Sequence, residues 1–130
     1  MSRRLLLDTY ALIWALSSPS RLPARVARML RDPENDVYAS AVATWEIAIK
    51  SALGKIETDV AAVARAAREA DFEELPVTLA HTARLTTLPQ HHRDPFDRLL
   101  VAQAIEEDLT LVTHDPAIGR YPVPVLWGRR

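Results

Sequence analysis

Short apolar runs alternate along this chain with longer segments of helical periodicity, and most of the runs stop on a polar or acidic residue. Residues 4–7 form an apolar, strand-like run ending at Asp8 and Thr9, after which Tyr10, Leu12, Ile13, Trp14 and Leu16 predict a helix that closes near Ser17-Ser18-Pro19. Residues 23–31 predict a second helix, with Val26, Met29 and Leu30 inward and Arg25, Arg28 and Arg31 outward. A turn over 32–36 leads to a strand at 37–39 with Ser40 at its end, then to a helix over 41–53 closed by Gly54. Trp45 on that helix is expected in the core. Residues 59–71 read as an alanine-rich helix with Val60, Val63 and Ala67 on one face. A short strand follows at 75–77, and its Pro76 favours an edge or strand-end position because proline cannot donate to a ladder. Residues 78–88 predict a helix with Leu79, Ala83 and Leu85 inward.

After a loop over 89–93, Asp94-Pro95 is a natural helix opening, with Asp97 near the third helical position. Leu99, Leu100, Val101, Ala104 and Ile105 give the apolar face, and Glu106-Glu107-Asp108 ends it. Residues 109–113 are β-prone and stop at Asp115-Pro116, a turn covers 118–121, and 123–126 form a last strand. Five short strands alternating with helices predict an α/β fold, a three-layer α/β/α sandwich around a mainly parallel sheet. With no internal repeat, low-complexity tract or linker, 1–130 reads as one domain.

Composition changes this picture little. A chain of 130 residues can bury roughly two-thirds of its unfolded surface, enough for a core without a metal or disulfide staple. A net charge of −1 gives no whole-surface attraction to nucleic acid, so any such contact needs a local basic patch. The absence of cysteine excludes disulfides and thiol chemistry and fits a reducing cytosol. Ser2-Arg3-Arg4 before Leu5-Leu6-Leu7 imitates a signal peptide, but Asp8 cuts the apolar run early, and no run reaches the roughly 18 residues of a membrane span. A cytoplasmic protein is expected.

The acids are more informative. A helix of about ten residues descends roughly 15 Å and four to five strand residues climb back about as far. Asp97 and Asp115 should therefore meet at the carboxyl edge of the sheet, where open α/β sheets bind ligands. Asp8 follows the first strand to the same edge, and Glu46 opens the helix after the second. Each has a plain alternative: Asp8 as a helix cap, Glu46 paired with Lys50 at i,i+4 on the helix surface. Glu46 is flanked by Trp45 and Ile47, which suggests partial burial and hence a need for a partner. Several carboxylates in one small site repel one another unless a cation compensates. An all-oxygen set suits Mg²⁺ or Mn²⁺, which can activate water and stabilise an in-line phosphoryl transition state. His91 and His92 are adjacent, point different ways and lack a spaced third ligand, so loop polarity or a backbone contact is the simpler reading.

Leu5-Leu6-Leu7-Asp8-Thr9, Ser40 through Lys50, His92-Arg93-Asp94-Pro95-Phe96-Asp97-Arg98-Leu99-Leu100 and Leu111-Val112-Thr113-His114-Asp115 together resemble the PIN-domain ribonucleases. More narrowly they resemble the VapC-type toxins of bacterial toxin–antitoxin pairs. The resemblance implies that Asp8, Glu46, Asp97 and Asp115 are catalytic, metal-binding acids and that Thr113 orients metal-bound water. Ser40 and Thr9 take supporting roles, and Asp94 is a cap or supporting group rather than the third acid. It also implies a Mg²⁺ or Mn²⁺ cofactor, cleavage of structured RNA (commonly transfer RNA), a small cognate antitoxin as partner, a homodimer, and operator DNA reached only through the antitoxin.

An acidic pocket that takes a polyanion needs basic groups at its rim. Lys50, Lys55, Arg93 and Arg98 lie near the acids in sequence or helical phase and would position a backbone without reading bases; Lys50 and Lys55 equally serve as solubilising groups on their helix. Two other readings compete with a metal-dependent endoribonuclease. A phosphatase or phospho-acceptor receiver lacks here the second acid after Asp8 and a lysine after Lys55. A non-catalytic RNA- or partner-binding module gains nothing from four acids, since negative charge opposes RNA binding.

Overall fold

The computed structural model describes residues 2–127. Its strands are β1 (Arg4–Leu7), β2 (Asp36–Ser40), β3 (Glu73–Leu75), β4 (Thr110–Thr113) and β5 (Val125–Trp127). They pair in the order β3-β2-β1-β4-β5, every pairing parallel. Between them run α1 (Thr9–Ser17), α2 (Ala24–Arg31), α3 (Ala41–Ala52), α4 (Val60–Glu69), α5 (Leu79–Arg84) and α6 (Pro95–Glu107). A parallel sheet has to be covered on both faces, which is why the central β1 is a continuous run of leucines rather than an alternating strand. Leu5 and Leu7 pack with Leu12 of α1, Val26 of α2, Ile47 of α3 and Val63 of α4. Leu6 points the other way, into a cluster with Leu100, Val101 and Ala104 of α6. The three-layer sandwich follows.

The chain builds the sheet outward through β2 and β3, then returns to the far side of β1 for β4 and β5. The direction of winding therefore reverses between β1 and β4, and the carboxyl end of that junction is the crevice where such sheets take ligands. Among the described residues no helix is long and apolar enough to cross a membrane.

Several expectations shift. β3 pairs over Glu73–Leu75, two residues before the expected strand, and stops where Pro76 removes the next donor; its edge position is as expected. β5 likewise starts at Val125 rather than at 123. The helix expected over 78–88 is α5 followed by a 3-10 turn, Leu85–Thr87, and it presents a different face: Leu79 is 88% exposed and Ala83 is exposed, while His81 is fully buried. Trp45 is not a core residue but half exposed, lying edge-to-face on Phe96 with ring centroids 4.8 Å apart. The reason is helical phase. Val42, Ala43, Glu46 and Ile47 take the inward face of α3, and Trp45 lies outside it. That helix ends as expected at Gly54, whose φ of +73° lets the Lys55 and Gly54 N–H groups donate back to the Lys50 and Ser51 carbonyls.

His81 is buried because its polar atoms are satisfied. Its Nδ1 accepts from the Thr78 N–H at 3.0 Å while its own N–H donates to Thr78 Oγ1, a reciprocal cap on α5. With Nδ1 an acceptor, the ring proton lies on Nε2, which meets Glu107 Oε2 at 2.8 Å. Gln103 of α6, also fully buried, donates to the Pro76 carbonyl at 3.3 Å and accepts from Ser40 Oγ at 2.6 Å, tying the end of β2 to α6. Gln103→Leu keeps the volume but leaves the Ser40 hydroxyl proton without an acceptor. The expected loss is about 1–3 kcal/mol, read as a lower urea midpoint with unchanged slope.

Candidate active site

The strand–helix junctions around β1 and β4 bring the sequence-distant acids to one place. Asp8 directly follows β1 and caps α1, its Oδ1 accepting from the Ala11 N–H at 2.8 Å. Asp94 does the same for α6, accepting from the Phe96 and Asp97 N–H groups at 2.8 and 3.2 Å. Pro95 opens that helix and Asp97 sits in its first turn, so the helix start aims a carboxylate at the strand edge. Asp115 follows β4 and anchors its turn by accepting from the Ala117 N–H at 2.9 Å. Glu46 reaches in from α3. Asp8, Glu46, Asp94, Asp97 and Asp115 together line a cavity of about 250 Å³.

Two threonines hold this arrangement. Thr113, fully buried at the end of β4, accepts from the Asp115 N–H at 3.1 Å and hydrogen-bonds the Asp8 carboxylate, so one hydroxyl connects two of the acids. Thr9 Oγ1 donates to Glu46 Oε1 at 2.5 Å. Glu46 is only 3% exposed, and its second oxygen meets Lys50 Nζ, also at 2.5 Å. The i,i+4 pair and the partial burial are thus one feature: Lys50 is the partner a buried acid requires. Burial pulls the Lys50 ammonium down, but the Glu46 hydrogen bond and charge outweigh it and hold it above its usual value.

The acids still strain one another. Burial pushes Asp8 up to about 6, with Glu46 and Asp115 adding repulsion against the hydrogen bonds from Thr113 and Ala11. Asp97 rises further, to about 7, through burial and the charges of Asp94, Glu46 and Asp8, with His92 opposing. His92, read from the sequence as loop polarity or a backbone contact rather than a metal ligand, makes that backbone contact and also reaches two of the acids. Its Nε2 lies 3.0 Å from Asp97 Oδ2 and 2.9 Å from Asp115 Oδ2, and its Nδ1 accepts from the Asp94 N–H at 3.2 Å. Tyr121 fixes the loop by accepting from the His92 N–H at 2.9 Å. The signal was present: a chain segment delivering Asp94 to the sheet edge must itself cross that edge, and the histidine two residues earlier crosses with it.

Of the four basic candidates, Lys50 alone lines the cavity, and it is committed to Glu46. Arg98 turns away to donate to the Leu88 carbonyl at 3.4 Å, and its Nε is buried without a partner among the described residues. Arg93 and Lys55 are exposed and do not line the cavity. Ser40 caps α3 through the Val42 N–H at 2.9 Å and bonds Gln103, so it fixes the helix carrying Glu46 without reaching the acids. The same cavity is lined by Tyr10, Trp14, His114 and Trp127, four rings that sequence reasoning did not place at the site.

This donor set suits a hard divalent cation. It is dominated by carboxylate oxygens, His92, Asp97 and Asp115 bring one ligand atom each within 4.8 Å of one another, and two of the acids carry strain that a cation would relieve. A winding reversal in a parallel sheet lined with acids defines the class, an α/β domain with an acidic centre. The sequence matches the PIN domain family model over residues 5–124, and the chain belongs to that family. No curated protein matches the sequence. Among solved structures it is similar to VapBC2 from Rickettsia felis bound to a promoter DNA fragment (17% identity, TM-score 0.69, 95% of this chain and 97% of that chain). It is similar also to DNA-bound VapBC from Salmonella typhimurium (16%, 0.68, 95% and 97%). A third is VapBC-5 from Mycobacterium tuberculosis, a toxin–antitoxin system (23%, 0.57, 98% of each chain). At these identities the likeness is one of fold.

The raised acids set a pH dependence. An unfolded aspartate titrates near 3.9, so the folded protein holds protons that the unfolded chain has lost between about pH 4 and 7. The contribution of these two acids to stability without metal is therefore greatest below that window and is lost as pH rises through it. Asp97→Asn should flatten the decline, raising the melting temperature in chelator at pH 7.5 while leaving it nearly unchanged near pH 4. A thermal-shift series across pH checks this.

Proposed function

We propose that this chain is a metal-dependent endoribonuclease, acting as the toxin of a type II toxin–antitoxin pair and hydrolysing phosphodiester bonds in structured RNA, with transfer RNA the first substrate to test. The observation that carries the reading is the convergence of Asp8, Glu46, Asp97 and Asp115 on one cavity at the winding reversal, with Asp8 and Asp97 held well above ordinary carboxylates. Membership of the PIN-domain family and the fold shared with VapBC toxin–antitoxin proteins support it.

Asp8, Asp97 and Asp115, with Glu46 behind them, would hold Mg²⁺ or Mn²⁺. A bound divalent ion supplies an activated water and neutralises charge on the phosphate in the transition state. The chain's own contribution is placement. Asp8 is pinned by the Ala11 N–H and by Thr113, whose hydroxyl also sets the turn carrying Asp115. Thr9 and Lys50 hold both oxygens of Glu46, so this acid is a fixed wall rather than a mobile base. His92 keeps the Asp97 and Asp115 carboxylates within reach of one nitrogen. Among the described residues, a phosphate approaching this site meets Lys50 as the ammonium lining the cavity. A small antitoxin as inhibiting partner, a homodimer and a cytoplasmic location complete the proposal, with operator DNA contacted through the antitoxin.

The decisive assay is cleavage of a structured RNA pool by antitoxin-free protein. Wild type should yield discrete fragments with Mg²⁺ or Mn²⁺ and none with chelator, and Asp8→Asn and Asp97→Asn should each lower the rate by at least about a hundred-fold. Retention of RNA binding with neither turnover nor metal binding would favour a non-catalytic RNA- or partner-binding module.

A further inference from the structure

Part of the lining of the acidic cavity is a continuous aromatic wall. Tyr10 and Trp14, one turn apart on α1, have ring centroids 6.2 Å apart. Trp14 meets Trp127 edge-on at 5.6 Å, and Trp127 stacks on His114 at 5.0 Å with their planes 16° apart. Register explains the far half: Thr113 pairs with Trp127 across β4 and β5, so the indole stands beside the strand end that carries His114 and Asp115. The wall is braced from outside, since the Arg21 guanidinium lies over the Trp14 ring at 4.2 Å. Its two indoles are half-buried, whereas its outer rings are open: Tyr10 is 44% exposed and His114 is exposed. All four rings line the same cavity as the acids.

Large aromatic groups left open beside a charged cavity call for a ligand that is flat, apolar on its faces and joined to a phosphate. We infer that Tyr10 and His114, backed by Trp14 and Trp127, form a base-stacking subsite for unpaired nucleotides flanking the scissile phosphate. Every base has a π-face, so such a wall is tolerant of sequence but demands bases free of a duplex. Lys50 Nζ, 6.0 Å from the Tyr10 ring centre and bonded to Glu46, marks where the stacking wall meets the acid site. This inference rests on the ribonuclease reading and specifies its substrate: the cut falls in a loop, bulge or end, not within a helix.

The test is a cycle between protein and RNA. A short unstructured RNA, and copies of it with a single abasic position moved along the chain, are titrated against the Asp97→Asn protein in Mg²⁺, following tryptophan fluorescence. Binding should quench the indoles, and abasic sites at one or two adjacent positions should weaken binding about ten-fold. Tyr10→Leu and His114→Ala should weaken binding of the intact RNA by a similar factor and abolish the abasic penalty at one position each. Tyr10→Trp should restore it. A merely structural role for Tyr10 would lower affinity for every RNA and leave the abasic penalties in place, which overturns the subsite. If wild type cleaves RNA with metal but the penalties do not couple to the rings, the subsite is wrong and the nuclease reading stands. If wild type neither binds nor cleaves RNA, both fall. Loss of binding to a co-expressed antitoxin with RNA binding unchanged would reassign the wall to a protein partner and overturn the proposal.

Discussion

Parallel strands all finish at the same edge, and this directional constraint governs the rest of the molecule. Helices leaving that edge begin there too, and a helix start favours an acid, both as a cap and at the positive end of its dipole. Asp8 and Asp94 satisfy local capping needs, yet by doing so they stand at the winding reversal between β1 and β4, with Asp97 one turn away. Folding therefore collects negative charge as a by-product of good local structure. The protein counters the repulsion with the Thr113 and Thr9 hydroxyls, the Lys50 ammonium and the His92 ring, and it does so incompletely, since Asp8 and Asp97 stay raised.

That incompleteness is what the proposed cation site would show and a structural ion network would not. In a network optimised for stability, each carboxylate would finish with a matched partner and a lowered pKa. Here Glu46 has both oxygens engaged, while Asp97 is pushed up to about 7 by burial and then by neighbours of its own sign. The residual strain is stability withheld from the metal-free fold, recoverable when positive charge arrives.

Much of this was legible before any coordinates, for reasons that differ by residue. Asp8, Asp97 and Asp115 could be placed because each abuts a strand or helix boundary marked by local chemistry: an apolar run that stops, an Asp-Pro helix start, an Asp-Pro turn. Glu46 carried a weaker mark, its large apolar flanks, and those same flanks misled about Trp45. Periodicity assigns a helix its apolar positions but cannot choose between two faces when both carry large side chains, and α3 turns Ile47 inward and Trp45 out. The same ambiguity inverted α5, where a buried histidine with three polar neighbours outcompetes Leu79 for the interior. His92 and the aromatic wall were hidden for another reason. The wall depends on the β4–β5 register, which no local pattern encodes, and His92 was marked only by its place two residues before Asp94 on the segment that crosses the sheet edge.

The charge distribution then bears on how such a protein would hold RNA. A net charge of −1 offers no general attraction, and proteins that rely on phosphate contacts gain affinity in proportion to the phosphates they neutralise. In this structure Arg98 is folded back on the Leu88 carbonyl and Lys50 is already neutralised by Glu46. Among the described residues, little cationic surface at the cavity is left to carry such binding. Under the proposed function, two sources of affinity would remain among the described residues, a divalent ion held by the acids and the faces of the aromatic rings, and they differ in what they select. The ion attracts any phosphate, paired or not. Stacking rewards only a base that has left its helix, so under the proposed function the discrimination between paired and unpaired RNA would fall to the aromatic side of the cavity and the chemistry to the acidic side.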